Sequence, residues 1–223
     1  IYKKAFGLLR KGSSGLAGRY KLRNAILELG PTGYPFERFM GKLMTNQGYK
    51  VKVGVLVKGH SVDHEIDVWA ERENEVIMME CKYHNRAEIK CDVKVPMYIL
   101  SRYHDVKKQW DKENGGNKKT LSVWIATNTQ FSKDAIDFAR SYGITLLAWA
   151  YPEKGNLRER VDNAGLYPLT CLTSLSASDK RILLEKDVVL IKDILNNPET
   201  LNFLGVNDRK KNRILKNARE MLR

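Results

Sequence analysis

The chain has 223 residues, 43% hydrophobic and 29% charged, enough apolar material for a sizeable core and too much for a disordered polymer. No run of about 18 apolar residues is available to cross a bilayer as a helix, and Ile1-Tyr2-Lys3-Lys4 lacks a secretory signal, so a cytoplasmic protein with no membrane partner is expected. The formal charge of +13 is uneven: residues 1–50 set ten Lys/Arg against Glu28 and Glu37, residues 207–223 set seven against Asp208 and Glu220, and the stretch between them balances. Basic ends around a neutral middle suit a polyanion held at the flanks and worked on at the centre, because phosphate neutralisation releases counterions.

In chain order, Tyr20 to Leu29 has helical spacing and stops at the turn-forming Gly30-Pro31-Thr32-Gly33. Phe36, Phe39, Met40, Leu43 and Met44 then repeat at helical spacing, with Gly48 placed to close the helix. Val51, Val53, Val55 and Val57 alternate with Lys50, Lys52 and Lys58, the pattern of a half-buried strand with one apolar face. Strands over 62–70 and 76–83 complete an antiparallel meander. A long amphipathic helix over 93–112, a strand over 121–127, a helix over 133–142 capped by Ser132, and a strand over 144–151 follow. Beyond Pro168 the pattern becomes short helical segments at 178–185, 188–195, 198–204 and 208–222 with no strand candidate.

Three positions carry the chemistry. Period two in the second strand puts Glu65, Asp67 and Trp69 opposite Ile66 and Val68; in the third it sets Glu80 and Lys82 on one face and Cys81 on the other. Two carboxylates on neighbouring strands can share an oxygen-seeking cation such as Mg2+, and an adjacent lysine can orient or deprotonate a water for phosphodiester hydrolysis. Cys81, Cys91 and Cys171 form no CxxC pair, and His60, His64, His84 and His104 have no zinc-site spacing, so neither a disulfide framework nor a structural zinc is expected.

Asp67 with Glu80-Cys81-Lys82, in an α-β-β-β-α-β order, resembles the PD-(D/E)XK nuclease superfamily and its Mrr-like restriction endonuclease branch. The likeness runs over about residues 30–160 and is densest in residues 30–37, His64-Glu65-Ile66-Asp67-Val68, Glu80-Cys81-Lys82-Tyr83-His84-Asn85 and Thr127-Asn128-Thr129-Gln130-Phe131. Ile66 stands where the superfamily name has proline. The resemblance implies a restriction-endonuclease-like α/β core, a mixed sheet flanked by helices, with a small all-helical tail. It implies Mg2+, with Mn2+ able to substitute, on Asp67, Glu80 and the Cys81 carbonyl; Lys82 serving the attacking water; and Glu37 supporting the site. Glu37 could equally stabilise its helix N-terminus through the dipole.

His84 and Asn85 are candidate phosphate contacts, and Thr127 and Thr129 candidate cleft residues, although a strand end alone would account for all four. Residues 1–33, notably Ala17-Gly18-Arg19-Tyr20, resemble the end of an ATP-cone domain whose nucleotide-binding part would lie upstream. The tail over 168–223 is similar to helix-hairpin-helix modules, with Arg209, Lys210 and Lys211 as candidate DNA contacts, or is a plain helical cap. The expected organisation is therefore a basic helical segment over 1–33, a nuclease domain over 34–165 and the helical tail. The activity implied is that of a type II- or type IV-like endodeoxyribonuclease acting on double-stranded DNA, with a homodimer left open. The competing reading is a DNA-binding module that keeps the fold without cutting.

Overall fold

The computed structural model describes residues 21–114 and 119–222; the Ala17-Gly18-Arg19-Tyr20 likeness lies outside them. The chain divides into two compact units, one of residues 32–160, the other joining the chain up to Pro31 with Val161 onward. The described chain opens with a short helix of the second unit, α1 (Leu22–Leu27).

The first unit begins with α2 (Tyr34–Asn46), which buries Phe36, Phe39, Met40, Leu43 and Met44 as their spacing requires. Strands β1 (Lys50–Lys58), β2 (Asp63–Arg72) and β3 (Glu75–Lys82) form the antiparallel meander. After the two-residue strand β4 (Lys90–Cys91) comes the long helix α3 (Lys94–Asn114). Strand β5 (Thr120–Thr127) lies parallel to β3, β6 (Gln130–Phe131) pairs with β4, α4 (Lys133–Ser141) is capped by Ser132, and β7 (Thr145–Leu147) lies parallel to β5. The result is a mixed five-stranded sheet in the order β1-β2-β3-β5-β7. The last strand is shorter than expected because the chain turns out of the sheet: Ala148 bridges to Tyr151, and the Trp149 amide donates to the Thr129 carbonyl at 3.3 Å.

The valines of β1 do not share one face. A Cβ built on Gly41 would meet Val53 Cγ2 at 2.8 Å and Val51 Cγ1 at 3.4 Å, so these valines, paired with Val68 and Ala70 of β2, lie under α2. Val55 and Val57 pack instead on a cluster of Ile66, Val76, Met78, Val106 and Leu121 beneath α3. The hairpin therefore changes face between Val53 and Val55, at Gly54, whose φ of +61° suits the left-handed region that glycine enters without a Cβ clash. The register sets Gly54 opposite Asp67. Period-two counting across this point is what misleads the sequence reading.

Helix α3 is tied to the turn between β1 and β2 through Asp105, which accepts from the Ser61 amide at 2.9 Å and the Val62 amide at 3.3 Å and meets His64 Nε2 at 2.9 Å. The His64 contact is the main reason the Asp105 carboxyl is held far below its usual range.

Helix α5 (Leu157–Ala164), absent from the sequence reading, contains the division between the units. In the second unit Thr170, in a 3-10 turn over Leu169–Cys171, donates to the Ala25 carbonyl at 2.6 Å, joining α1 to the tail. Helices α6 (Ala177–Glu185), α7 (Ile191–Asn196) and α8 (Asp208–Met221), with a 3-10 segment over Pro198–Leu204, bury Leu183, Ile191, Ile194, Leu201, Ile214 and Ala218. All three cysteines are buried and unbridged.

Candidate functional site

The site lies where the sheet opens. Strands β2 and β3 pair from Arg72–Glu75 as far as Val68–Met79 and stop there, so the next residues on the two strands, Asp67 and Glu80, are not bonded through their backbones. The Asp67 carboxylate supplies what the ladder lacks, its Oδ2 accepting from the Cys81 amide at 2.7 Å. In an extended strand the N–H and C=O of one residue point to the same edge, so the Cys81 carbonyl faces the same opening. Strand β3 is held on its other side by β5 along its whole length, to the Lys82–Thr127 pair.

Glu80 is 5% exposed and bonded at both oxygens, Oε1 to Lys82 Nζ and Oε2 to Arg102 Nη1, each at 2.7 Å. Arg102, on α3, also donates through Nη2 to the Glu65 carbonyl on β2, so one guanidinium bridges both sides of the opening. Burial works against the Lys82 ammonium, but the bond to Glu80 and the charges of Glu80 and Asp67 outweigh it and raise its pKa. Burial and the Glu80 charge push the Asp67 carboxyl up to about 6, against the opposing pull of the Cys81 amide, Lys82 and Arg102. Burial, then Asp67, Glu65 and Glu80, lift Glu37 to about 7. Glu37 thus belongs electrostatically to this cluster as well as standing in the first turn of α2.

The remaining residues have different fates. Thr127 and Thr129 are buried, at 0% and 1% exposure, and Thr127 Oγ1 donates to the Lys82 carbonyl at 2.7 Å and contacts Thr129 Oγ1 at 3.2 Å. Their buried hydroxyls brace the strand end carrying Lys82, which corrects the expectation that they line a cleft. Asn128, passed over in the sequence reading, accepts from the His84 amide at 2.9 Å and donates to the His84 carbonyl at 2.7 Å, so its side chain acts as one more residue of the β5 ladder. His84 is half-buried with Nε2 3.4 Å from Cys91 Sγ, and burial followed by the Lys82 charge lowers its pKa. Asn85 is exposed.

In the second unit Arg209 is exposed, Lys210 Nζ is paired with Asp179 Oδ2 at 2.8 Å, and Lys211 Nζ donates to Asn202 Oδ1 at 2.8 Å. Asp179 also closes the capping box of α6 with Ser176. Lys210 is therefore a structural ion pair before it can be a phosphate contact.

Residues 30–150 match the family model described as restriction endonuclease. The chain belongs to that family. Residues 167–222 match a second model, AF1548-like, C-terminal. An uncharacterized protein of Archaeoglobus fulgidus is 34% identical over 187 residues, 82% of this chain and 99% of that one. The crystal structure of AF1548, a protein of unknown function, superposes with a TM-score of 0.70 at 32% identity over 86% of this chain and 98% of that one. The restriction endonuclease MspJI, solved with a 27-mer oligonucleotide, gives a TM-score of 0.45 at 12% identity over 90% of this chain and 39% of that one.

Restriction endonuclease domains generally use divalent metal ions. Among the described residues no three His, Cys, Asp or Glu side chains form a ready-made metal cluster. Mg2+ needs less, one or two carboxylates completed by waters and phosphate. Asp67 and Glu80 supply two carboxylates whose mutual repulsion raises the Asp67 pKa, and the Cys81 carbonyl shares their opening. This all-oxygen set fits a hard cation.

Proposed function

We propose that this restriction endonuclease family member is a Mg2+-dependent endodeoxyribonuclease, of the type II or type IV kind, that hydrolyses phosphodiester bonds of double-stranded DNA at the opening between β2 and β3. The observation that carries the reading is the Asp67 carboxylate bonded to the Cys81 amide where the two strands part, with Glu80 and Lys82 on either side of Cys81 in β3. Asp67, Glu80 and the Cys81 carbonyl would hold Mg2+, or Mn2+ in its place. Bound there, the cation would polarise the phosphate and acidify a water.

The chain's own residues do the rest. Lys82 is kept protonated by Glu80, so it acts first as a hydrogen-bond donor and counter-charge that orients the attacking water and faces the charge developing on phosphate. Thr127 fixes the Lys82 backbone and Asn128 fixes that of His84, so both residues are presented from a strand end that cannot fray cheaply. Glu37 can take up a proton near neutral pH and is suited to relay it between the site and solvent. Asn85 and Arg209, both exposed, are the proposed phosphate contacts.

The test is supercoiled plasmid with Mg2+, comparing the native chain with Asp67→Ala and Lys82→Ala. Nicking by the native chain alone is expected. Nicking that survives both substitutions places the chemistry elsewhere, and salt-dependent DNA binding with no nicking at all favours a binding module that keeps the fold. Linear product at early times would point to a homodimer cutting both strands.

A further inference from the structure

Arg102 has no part in the two-carboxylate and lysine arrangement, yet its side chain is 13% exposed and its guanidinium makes the second ion pair of Glu80. One nitrogen holds Glu80 Oε2 at 2.7 Å and another holds the Glu65 carbonyl. One turn later on the same helix, Asp105 clamps α3 to the turn between β1 and β2, so the position of Arg102 is fixed by the fold and not by Glu80 alone. Tyr98, one turn earlier, lies with its ring centroid 5.7 Å from the guanidinium. With Lys82 on Oε1, both oxygens of Glu80 are directed to cations.

We propose that Arg102 is a positioning residue that occupies the cation's place at Glu80 and must yield Oε2 before a divalent ion can bind, so that it sets the site's affinity for metal. The proposal rests on the metal-dependent reading above. Its physical basis is competition: a guanidinium and a divalent ion seek the same carboxylate lone pairs, and a buried charge-assisted hydrogen bond must be broken to exchange one for the other. The Glu65 carbonyl offers the displaced guanidinium a partner that it already has, which makes the exchange a short swing and not an expulsion into solvent.

Calcium titration by calorimetry reads this without turnover. Arg102→Met should bind Ca2+ more tightly by on the order of tenfold, the equivalent of one charge-assisted hydrogen bond. Lys94→Met removes a positive charge from the same helix without touching Glu80 and should shift affinity little, separating the specific contact from general electrostatics. Arg102→Gln, which keeps a donor but loses the charge, should lie between the native chain and Arg102→Met, and it serves in place of Arg102→Met if that variant does not fold. Unchanged or weaker Ca2+ binding by both Arg102 variants overturns the proposal, as does an equal gain from Lys94→Met. If the native chain binds Ca2+ and Asp67→Ala abolishes it while the Arg102 variants are unchanged, only this inference fails; if no protein binds Ca2+, the metal site fails with it.

Discussion

Replacing Asp67 by asparagine should make the metal-free protein more stable at pH 8 while abolishing its proposed activity. The carboxyl stands at about 6 instead of 3.8, chiefly through burial and then through Glu80. A change of that size is worth roughly 3 kcal/mol between the two protonation states, and partial exposure with solvent screening reduces it to about 1–2 kcal/mol. Because the folded-state value is raised, protonated Asp67 favours the fold: that contribution is full below pH 3.8 and is lost as pH rises through about 6. Asparagine keeps an oxygen for the Cys81 amide and carries no charge, so above pH 6 it should gain what aspartate loses, about 3–6 °C in melting temperature for a chain of this length. Thermal melts in chelator at pH 4 and pH 8 decide it. The gain should be large at pH 8, shrink at pH 4, and reverse when Mg2+ is added. An Asp67→Asn protein that melts lower than the native chain at pH 8 in chelator refutes the electrostatic account of the site.

Four other outcomes are expected. Gly41→Ala should lower the urea midpoint by the equivalent of about 1–3 kcal/mol, since its Cβ would come 2.8 Å from a branched, stiff Val53 side chain. Asn128→Ala, which leaves both backbone groups of His84 without their side-chain partner, should cost about 1–3 kcal/mol and reduce nicking although Asn128 touches no reacting group. Arg209→Ala should weaken DNA binding and reduce its salt slope by about one. Lys210→Met should instead lower stability, because it strips Asp179 of its ion pair; binding assays at several salt concentrations beside thermal melts separate the two.

Most helices and strands of the first unit and their order were legible because each rests on a local pattern: helical spacing in α2, runs of strand-forming residues in β2 and β3, Ser132 at a helix start; α5 and the two-residue strands β4 and β6 carry no such pattern. What sequence could not show was non-local or broke a pattern at a single residue. Val51 to Val57 alternate without interruption, yet Gly54 turns the second half of the hairpin to the other helix. Only its being the one residue in that run without a side chain hinted at this. Arg102 sits on a long helix whose later part, from Ser101 to Asn114, is mostly polar, and nothing local marks it as reaching Glu80 on β3. Thr127 and Thr129 look like polar residues at a strand mouth; their burial follows from the chain folding back on Thr129 through the Trp149 amide. Asn128 between them is the residue with work to do, and an amide side chain flanked by two threonines is the signal that could have found it.

The charges at the opening in the sheet have a consequence for the order of events. Formally, Glu37, Glu65, Asp67 and Glu80 set four negative charges against those of Lys82 and Arg102, so the site without its ion is a poor host for a polyanion. A divalent cation cancels that deficit. On the proposed reading, ion and DNA should each raise the other's affinity by the same factor, as any pair of linked binding events must. On that reading the centre engages DNA only when loaded, a form of metal gating that needs no moving lid.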